Sequence, residues 1–376
     1  MGTDSGTKSY DIFGFDDETG EVFADESIPR DEMVRDPGAV ARRLRELARA
    51  HRVDAIVASS GYGIPLKLAK DATDEEIALA TFISGEDAAR GHRILGLRRL
   101  LKMIKDDPEL REITYFTPGA VQLPTIPPYR KMNRVDMGTS DKVYSAALAI
   151  ARHAESTGAD YGDVNLIVVE VGFAYTSAMA VRSGQIVDSV AGTAGFPGYL
   201  GSGCMDAEVA YAISGVARIT KEMLFSGGAA YASRIDPFKV QPEEFVSSGG
   251  QGYEALVEYA VKDSLALLAS TTPQAVYLSG RFSRIGRFVE DFGRALSSSL
   301  GPLGARVPVR KLEGRGRTAK EAAEGAAVIA SGLAGGRYRR LVDVLRLRES
   351  SGTVFDYVTL YDAPSLIREY SRLLGV

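Results

Sequence analysis

The first stretch with the makings of a chemical site is DSGTKS, residues 4–9. Gly6, Thr7 and Lys8 offer backbone N–H groups, Ser5, Thr7 and Ser9 offer hydroxyls, and Lys8 adds a cation. An anion held in a tight turn needs this set, amides with no side chain in the way and a positive charge. Asp4 would repel a phosphate directly. It can instead hold a hydrated Mg²⁺ that touches the phosphate, because Mg²⁺ usually keeps several of its waters. The plainer reading is an ordinary first strand and turn in a chain of 40 glycines.

A second stretch repeats the plan. In EVGFAYT, Glu170, Gly172 and Thr176 again set a carboxylate, a glycine and a hydroxyl around a turn, with Phe173 and Ala174 inside it. Gly172 would let the backbone approach a second phosphate, and Glu170 would face the same metal as Asp4. VYLSGRFSR (276–284) places Gly280 where a buried strand turns into a helix, a geometry suited to a flat nucleobase or ribose, with Arg281 or Arg284 to stack on the base. EAAEGAAVIA (321–330) is a helix of small residues with Gly325 in its middle. A mid-helix glycine costs about 1 kcal/mol relative to alanine, so close packing is the expected reason for it.

The elements that must position these residues follow from periodicity. SYDIFGF (9–15) alternates like a half-buried strand, DDETG is a turn, and EVFADESIP pairs back on it. Residues 36–51 carry Pro just inside the start of a helical stripe. A buried strand is expected over 53–63, helices over 73–83 and 86–105, a strand over 112–121, an extended surface connection over 123–140 and a helix over 141–156. A second cycle then begins. It has a strand over 165–175, two further strands over 176–193 around Ser183-Gly184, a glycine-rich loop at 195–203, helices over 204–216 and 253–270, a buried strand with a Gly-Arg turn and a helix start over 274–286, and a strand over 305–312. Helices over 319–336 and 363–374 complete the chain. The two cycles share one order of elements, which predicts an internal duplication: two similar α/β domains, over 1–140 and 141–376, with a cleft between them.

Composition narrows the function. The chain has 376 residues, a formal net charge of -4, one cysteine and three histidines. No basic excess is available for a nucleic-acid backbone, no disulfide can form within the chain, and a Cys/His zinc site is not expected. No apolar run is long enough to span a bilayer and no secretory signal opens the sequence, so the cytoplasm is the expected compartment. Asn133 and Asn165 are the only asparagines, a composition that fits a thermophile.

The order of phosphate loop, linking helix, phosphate loop, adenosine loop and linking helix resembles the acetate kinase/sugar kinase/Hsp70/actin superfamily. Within it, YGDVNLIVVEVGFAYTSAMAVRSGQIVDSV, DMGTSDKVYSAALAIARHA, VARITKEMLFSGGAAY and EAAEGAAVIASGL resemble segments of butyrate kinases, and the chain resembles an archaeal group of predicted butyrate kinases. The resemblance implies two ribonuclease H-like α/β domains, each a mixed five-stranded sheet flanked by helices, with ATP in the cleft between them. It also implies a magnesium-dependent phosphotransfer to a short carboxylic acid, and a homodimer. Two positions depart from the family: its histidine is replaced by Glu170, and its first loop has Asn and Lys where this chain has Asp4 and Asp11.

An already ionised carboxylate acceptor needs no general base, whereas an alcohol acceptor does. Asp136 is the candidate base, since Asp141 is expected to cap the helix that follows it. Lys8, Lys142 and Arg234 are the candidate cations. The alternatives to an acid kinase are a kinase of a hydroxylated metabolite and a nucleotide-responsive binding protein that transfers nothing.

Overall fold

Alternation of apolar residues along the first thirty positions builds a three-strand meander. In the computed structural model, which describes residues 1–83 and 95–376, it consists of β1 (Gly2–Ser5), β2 (Ser9–Phe15) and β3 (Val22–Pro29). The β2–β3 turn forms because Asp16 Oδ1 accepts hydrogen bonds from Thr19 N (2.7 Å) and Glu18 N (3.1 Å), with Gly20 at φ +78°. The sheet is completed by β4 (Ile56–Ala58), β5 (Gly63–Leu68) and β6 (Thr114–Pro118), in the order β3-β2-β1-β4-β6-β5. β1 is antiparallel to β2 and parallel to β4, and β4 is parallel to β6.

The second sheet has β7 (Leu166–Val171), β8 (Thr176–Arg182), β9 (Gln185–Ala191), β10 (Ala275–Ser279) and β11 (Val309–Lys311), in the order β11-β10-β7-β8-β9. β7 is antiparallel to β8 and parallel to β10, and β10 is parallel to β11. Both sheets therefore run third-second-first-fourth-fifth, as the duplicated sequence order predicts. The first departs from five strands because GIPLKL, which follows the strand expected over 53–63, forms the extra antiparallel edge strand β5 beside β6.

The chain divides into two compact units, Met1–Gly162 with Gly184–Ile186 and Glu313–Val376, and Asp163–Ser183 with Val187–Leu312. This partition differs from the expected 1–140 and 141–376. The Glu321–Leu333 helix is buried along almost its whole length against β1, β2 and the Ser140–Thr157 helix, so the C-terminal residues join the first sheet. Burial on all sides explains the small residues of that helix. A Cβ on Gly325 would stand 2.6 Å from the carbonyl carbon of Tyr144 on the crossing helix.

The expected surface connection at 123–140 is corrected. Ile126, Lys131, Asp136 and Met137 are buried, with a short helix at Pro128–Lys131. Lys131 Nζ donates to Leu123 O (2.7 Å), and burial lowers its pKa to about 8. The helix expected over 86–105 is seen as Leu95–Asp106, and residues 84–94 lie outside the described part. In the second unit the core gathers Tyr199, Phe245, Phe282, Phe288 and Phe292 between the sheet and the Gln251–Ala266 and Gly286–Leu300 helices. Among the described residues no helix is long and apolar enough to cross a membrane.

Candidate functional site

In the first unit, β1 and β2 place Asp4 and Asp11 directly opposite each other, and the side chains are 3% and 0% exposed. The loop Gly6–Lys8 joins the two strands. Between the carboxylates lies the ammonium of Lys320, which donates to Asp4 Oδ2 and forms an ion pair with Asp11 Oδ2 at 3.2 Å. Lys320 N also donates to Asp11 Oδ2 (3.3 Å), and Ser27 Oγ to Asp11 Oδ1 (2.6 Å). Just upstream, Asp25 of β3 accepts from the amides of Arg317 (2.7 Å), Thr318 (3.1 Å) and Ala319 (2.7 Å), fixing the approach to the Glu321–Leu333 helix.

Asp4 Oδ1 is buried and has no hydrogen-bond partner. A buried carboxylate oxygen in that condition is costly unless a cation or donor reaches it. Burial, then the charges of Asp141 and Asp11, push the Asp4 pKa above the usual carboxylate range against the pull of Lys320.

Asp141 differs from its expected part. Thr139 is the N-cap residue of the Ser140–Thr157 helix and makes no side-chain cap. The Asp141 carboxylate instead accepts from Thr139 Oγ1 and from Lys142 Nζ (2.5 Å), and stands within electrostatic reach of Asp4 and Lys320. Burial works to raise its pKa, but Lys142, Thr139 and Lys320 outweigh it and hold the carboxyl below its ordinary value. Asp136, for its part, does have local employment: its Oδ1 accepts from Gly138 N (3.1 Å).

The other predicted residues of this unit fall as follows. Ser5 Oγ accepts from buried Arg30 (2.6 Å). Thr7 and Ser9 are half-buried and Lys8 is exposed. Lys320, 316 positions from Asp4, is the cation at this loop that the sequence reading missed. Gly325 packs on the Tyr144 backbone, the close approach expected of a mid-helix glycine.

In the second unit, Glu170 pairs with Ser177 across β7–β8 and with Ser279 across β7–β10. Gly280 has φ +85°, and a Cβ there would stand 2.7 Å from Val171 O and 2.8 Å from Glu170 Cγ, so glycine is required by the backbone turn and by the approach to Glu170. The neighbouring Ser279 Oγ is buried without a partner. Gly172 N closes the turn on Tyr175 O (3.0 Å), and Ala174 O accepts from Leu200 N (3.1 Å) and Gly201 N (2.9 Å). Phe173 points into the core beside Tyr199. Arg281 is held by Glu243 (2.7 Å), Arg284 is exposed, and Arg234 is an exposed turn residue at φ +55°.

Thr176 donates through Oγ1 to Asp263 Oδ2 (3.1 Å), and Phe196 N to Asp263 Oδ1 (3.2 Å). Asp263 lies on the Gln251–Ala266 helix and thereby ties the second loop to the glycine-rich loop 192–203. No motif marked it in the sequence, although an aspartate in the middle of an apolar helical stripe is a signal of burial. Burial raises its pKa to about 7. The folded unit thus holds a proton that the unfolded chain has already lost between about pH 4 and pH 7, and stability falls as pH rises through that window. Asp263→Asn is expected to flatten this dependence, gaining up to about 4 kcal/mol over wild type at pH 8 and nothing at pH 4. Thermal melts of both proteins at pH 4, 6 and 8 check it, and parallel curves would refute it.

Asp4 belongs to one unit and Glu170 to the other. Among the described residues no group of three or more His, Cys, Asp or Glu side chains is placed to hold a metal ion. What the first unit offers a cation is the carboxylate of Asp4 beside Asp11, with one buried oxygen that has no partner, and a carboxylate suits a Mg²⁺ that keeps most of its waters.

The propionate kinase of Francisella tularensis subsp. tularensis SCHU S4 aligns with 87% of this chain and 97% of its own, at 14% identity and TM-score 0.58. The acetate kinase of Porphyromonas gingivalis does so over 87% and 97%, at 14% identity and TM-score 0.55. The acetate kinase of Entamoeba histolytica covers 80% and 86%, at 12% identity and TM-score 0.50. These likenesses show the fold, which this chain shares with acetate and propionate kinases. No curated protein matches the chain in sequence. A family model described as "Protein of unknown function (DUF1464)" matches residues 2–360.

Proposed function

The chain belongs to the DUF1464 family, and from that premise and the site above we propose that it is an ATP- and Mg²⁺-dependent phosphotransferase acting on a small carboxylic acid to give an acyl phosphate. Asp4, a buried carboxylate with one unpartnered oxygen at the end of the first strand, carries the metal-dependent phosphotransfer, and the fold shared with acetate and propionate kinases supports the carboxylic acid as acceptor. Phosphoryl transfer asks mainly for alignment and charge neutralisation. Mg²⁺ would supply charge neutralisation at the phosphates. Asp4 would orient the metal's waters, and the amides of Gly6 to Lys8 would contact phosphate oxygens. In the second unit Glu170 and Thr176 would bound the second phosphate loop. The Ser279 hydroxyl, buried with no partner, would meet the nucleotide beside Gly280. A carboxylate acceptor brings its own negative charge and needs no base.

A second reading is favoured by Asp141. It is an ionised, largely buried carboxylate within electrostatic reach of Asp4. On that reading Asp141 would serve as the base for a hydroxylated acceptor, the role that the sequence suggested for Asp136.

Isothermal titration is expected to show binding of MgATP, and absence of binding would overturn both kinase readings. A panel of short carboxylic acids and polyols with an ADP readout then separates the two. Turnover on an acid that survives Asp141→Asn within a few-fold supports the acyl phosphate reading. Turnover on an alcohol that falls by about a hundredfold or more in Asp141→Asn supports the second. Tight MgATP binding with no turnover across the panel would leave a nucleotide-responsive binding protein.

A further inference from the structure

We propose that Asp4 and Asp11 form a cation site whose resident cation is the Lys320 ammonium, a tethered stand-in that keeps free divalent metal out until a metal–phosphate complex arrives. The last clause rests on the kinase reading, whereas the site itself does not.

Geometry and charge carry the proposal. Two carboxylates of at most 3% exposure face each other across β1 and β2, and each places an Oδ2 on Lys320 Nζ. Two carboxylates brought together in a buried site need a cation between them. Three carboxylates gather here, with Lys320 paired to Asp4 and Asp11 and Lys142 paired to Asp141. Independently, Asp4 Oδ1 is buried without any partner, so the site has coordinating capacity that the ammonium does not use.

Lys320 is built to leave. Its backbone N–H is fixed to Asp11 and the three preceding amides are fixed to Asp25, so the chain stays in place while the side chain, 25% exposed on a flexible stem, swings out. Gly6 provides the room the ammonium occupies, since a Cβ at Gly6 would overlap Nζ and stand 3.5 Å from Cε.

The test is Mn²⁺ binding to the full chain without nucleotide, followed by electron paramagnetic resonance. Lys320→Met is expected to bind Mn²⁺ at least tenfold more tightly than wild type, and adding Asp4→Asn to that variant is expected to cancel the gain. Gly6→Ala keeps every charge but displaces the ammonium, and a smaller gain is expected. Circular dichroism verifies folding. A folded Lys320→Met protein with wild-type Mn²⁺ affinity overturns the proposal. If that variant does not fold, Gly6→Ala decides, and unchanged affinity there overturns it equally. Because no nucleotide is present, a wild-type protein that fails to bind MgATP speaks against the kinase reading and leaves this result untouched.

Discussion

Asp4→Asn is expected to remove the metal-dependent part of ATP affinity, lowering MgATP binding by ten- to a hundredfold while leaving metal-free ATP binding unchanged or slightly stronger. Asparagine keeps the shape of the side chain and one acceptor oxygen, and Lys320 keeps Asp11 as a partner, so the loop should hold. What disappears is the negative charge on an oxygen that has no other partner. Interactions with a charged group contribute about 1.5–3 kcal/mol, which is one to two decades of affinity. Metal-free ATP, itself an anion, loses only a repulsion. The substitution is informative because the acid kinases that the first loop resembles carry asparagine there. Paired titrations with Mg²⁺ and with EDTA give the ratio directly. An unchanged ratio would show that the Asp4 carboxylate does not organise a metal, whatever else it does.

Gly325→Ala is expected to destabilise the first unit by about 3 kcal/mol and lower its melting midpoint by roughly 10 °C. Alanine is the better helix former by about 1 kcal/mol, so an exposed site would gain stability. Here the added methyl meets the carbonyl carbon of Tyr144 at 2.6 Å, and backbone cannot rotate away as a side chain can. The same crossing has a chemical consequence. Lys320 precedes Gly325 by five residues and Asp141 precedes Tyr144 by three, so this one close approach sets the spacing of the charges around Asp4. MgATP affinity should therefore fall along with stability. Gly286→Ala is the control: nothing lies within 4 Å of a Cβ there, and its melt should stay within about 0.5 kcal/mol of wild type. Equal melts for the two variants would refute the packing argument.

Much of the fold was legible because it is local. The alternation in SYDIFGF and the Asp16–Gly20 turn give the meander, the Asp36-Pro37 pair starts its helix where expected, and the Ala363–Leu374 helix has its predicted bounds. The duplication could be read because both halves repeat one order of short-range patterns, and both sheets then adopt one strand order. Edge strand β5 could not be read in the same way. GIPLKL has little β-branching and becomes a strand only because β6 offers it an unpaired edge. Nor could the partly buried 123–140 connection, where proline and polar residues suggest a surface throughout, and Tyr129 and Met132 are exposed, but Lys131 and Asp136 find carbonyl and amide partners inside.

For the site, sequence alone determined the loops, that is, which residues carry carboxylate, hydroxyl and amide groups at each turn; the structure added that Asp4 and Asp11 face each other where SYDIFGF folds back on β1. Those are contacts between residues a few positions apart, and hairpin register follows from side-chain period and turn length. Tertiary structure decided which charges complete them. Lys8, nearest in sequence, is exposed, while Lys320 arrives from 316 positions away. Asp141 stands within electrostatic reach of Asp4, and Asp263 joins the second loop to the glycine-rich loop through Phe196. The reason is that a buried charge selects its partner by distance in space and by exclusion of water, and sequence spacing carries that information only within a single element.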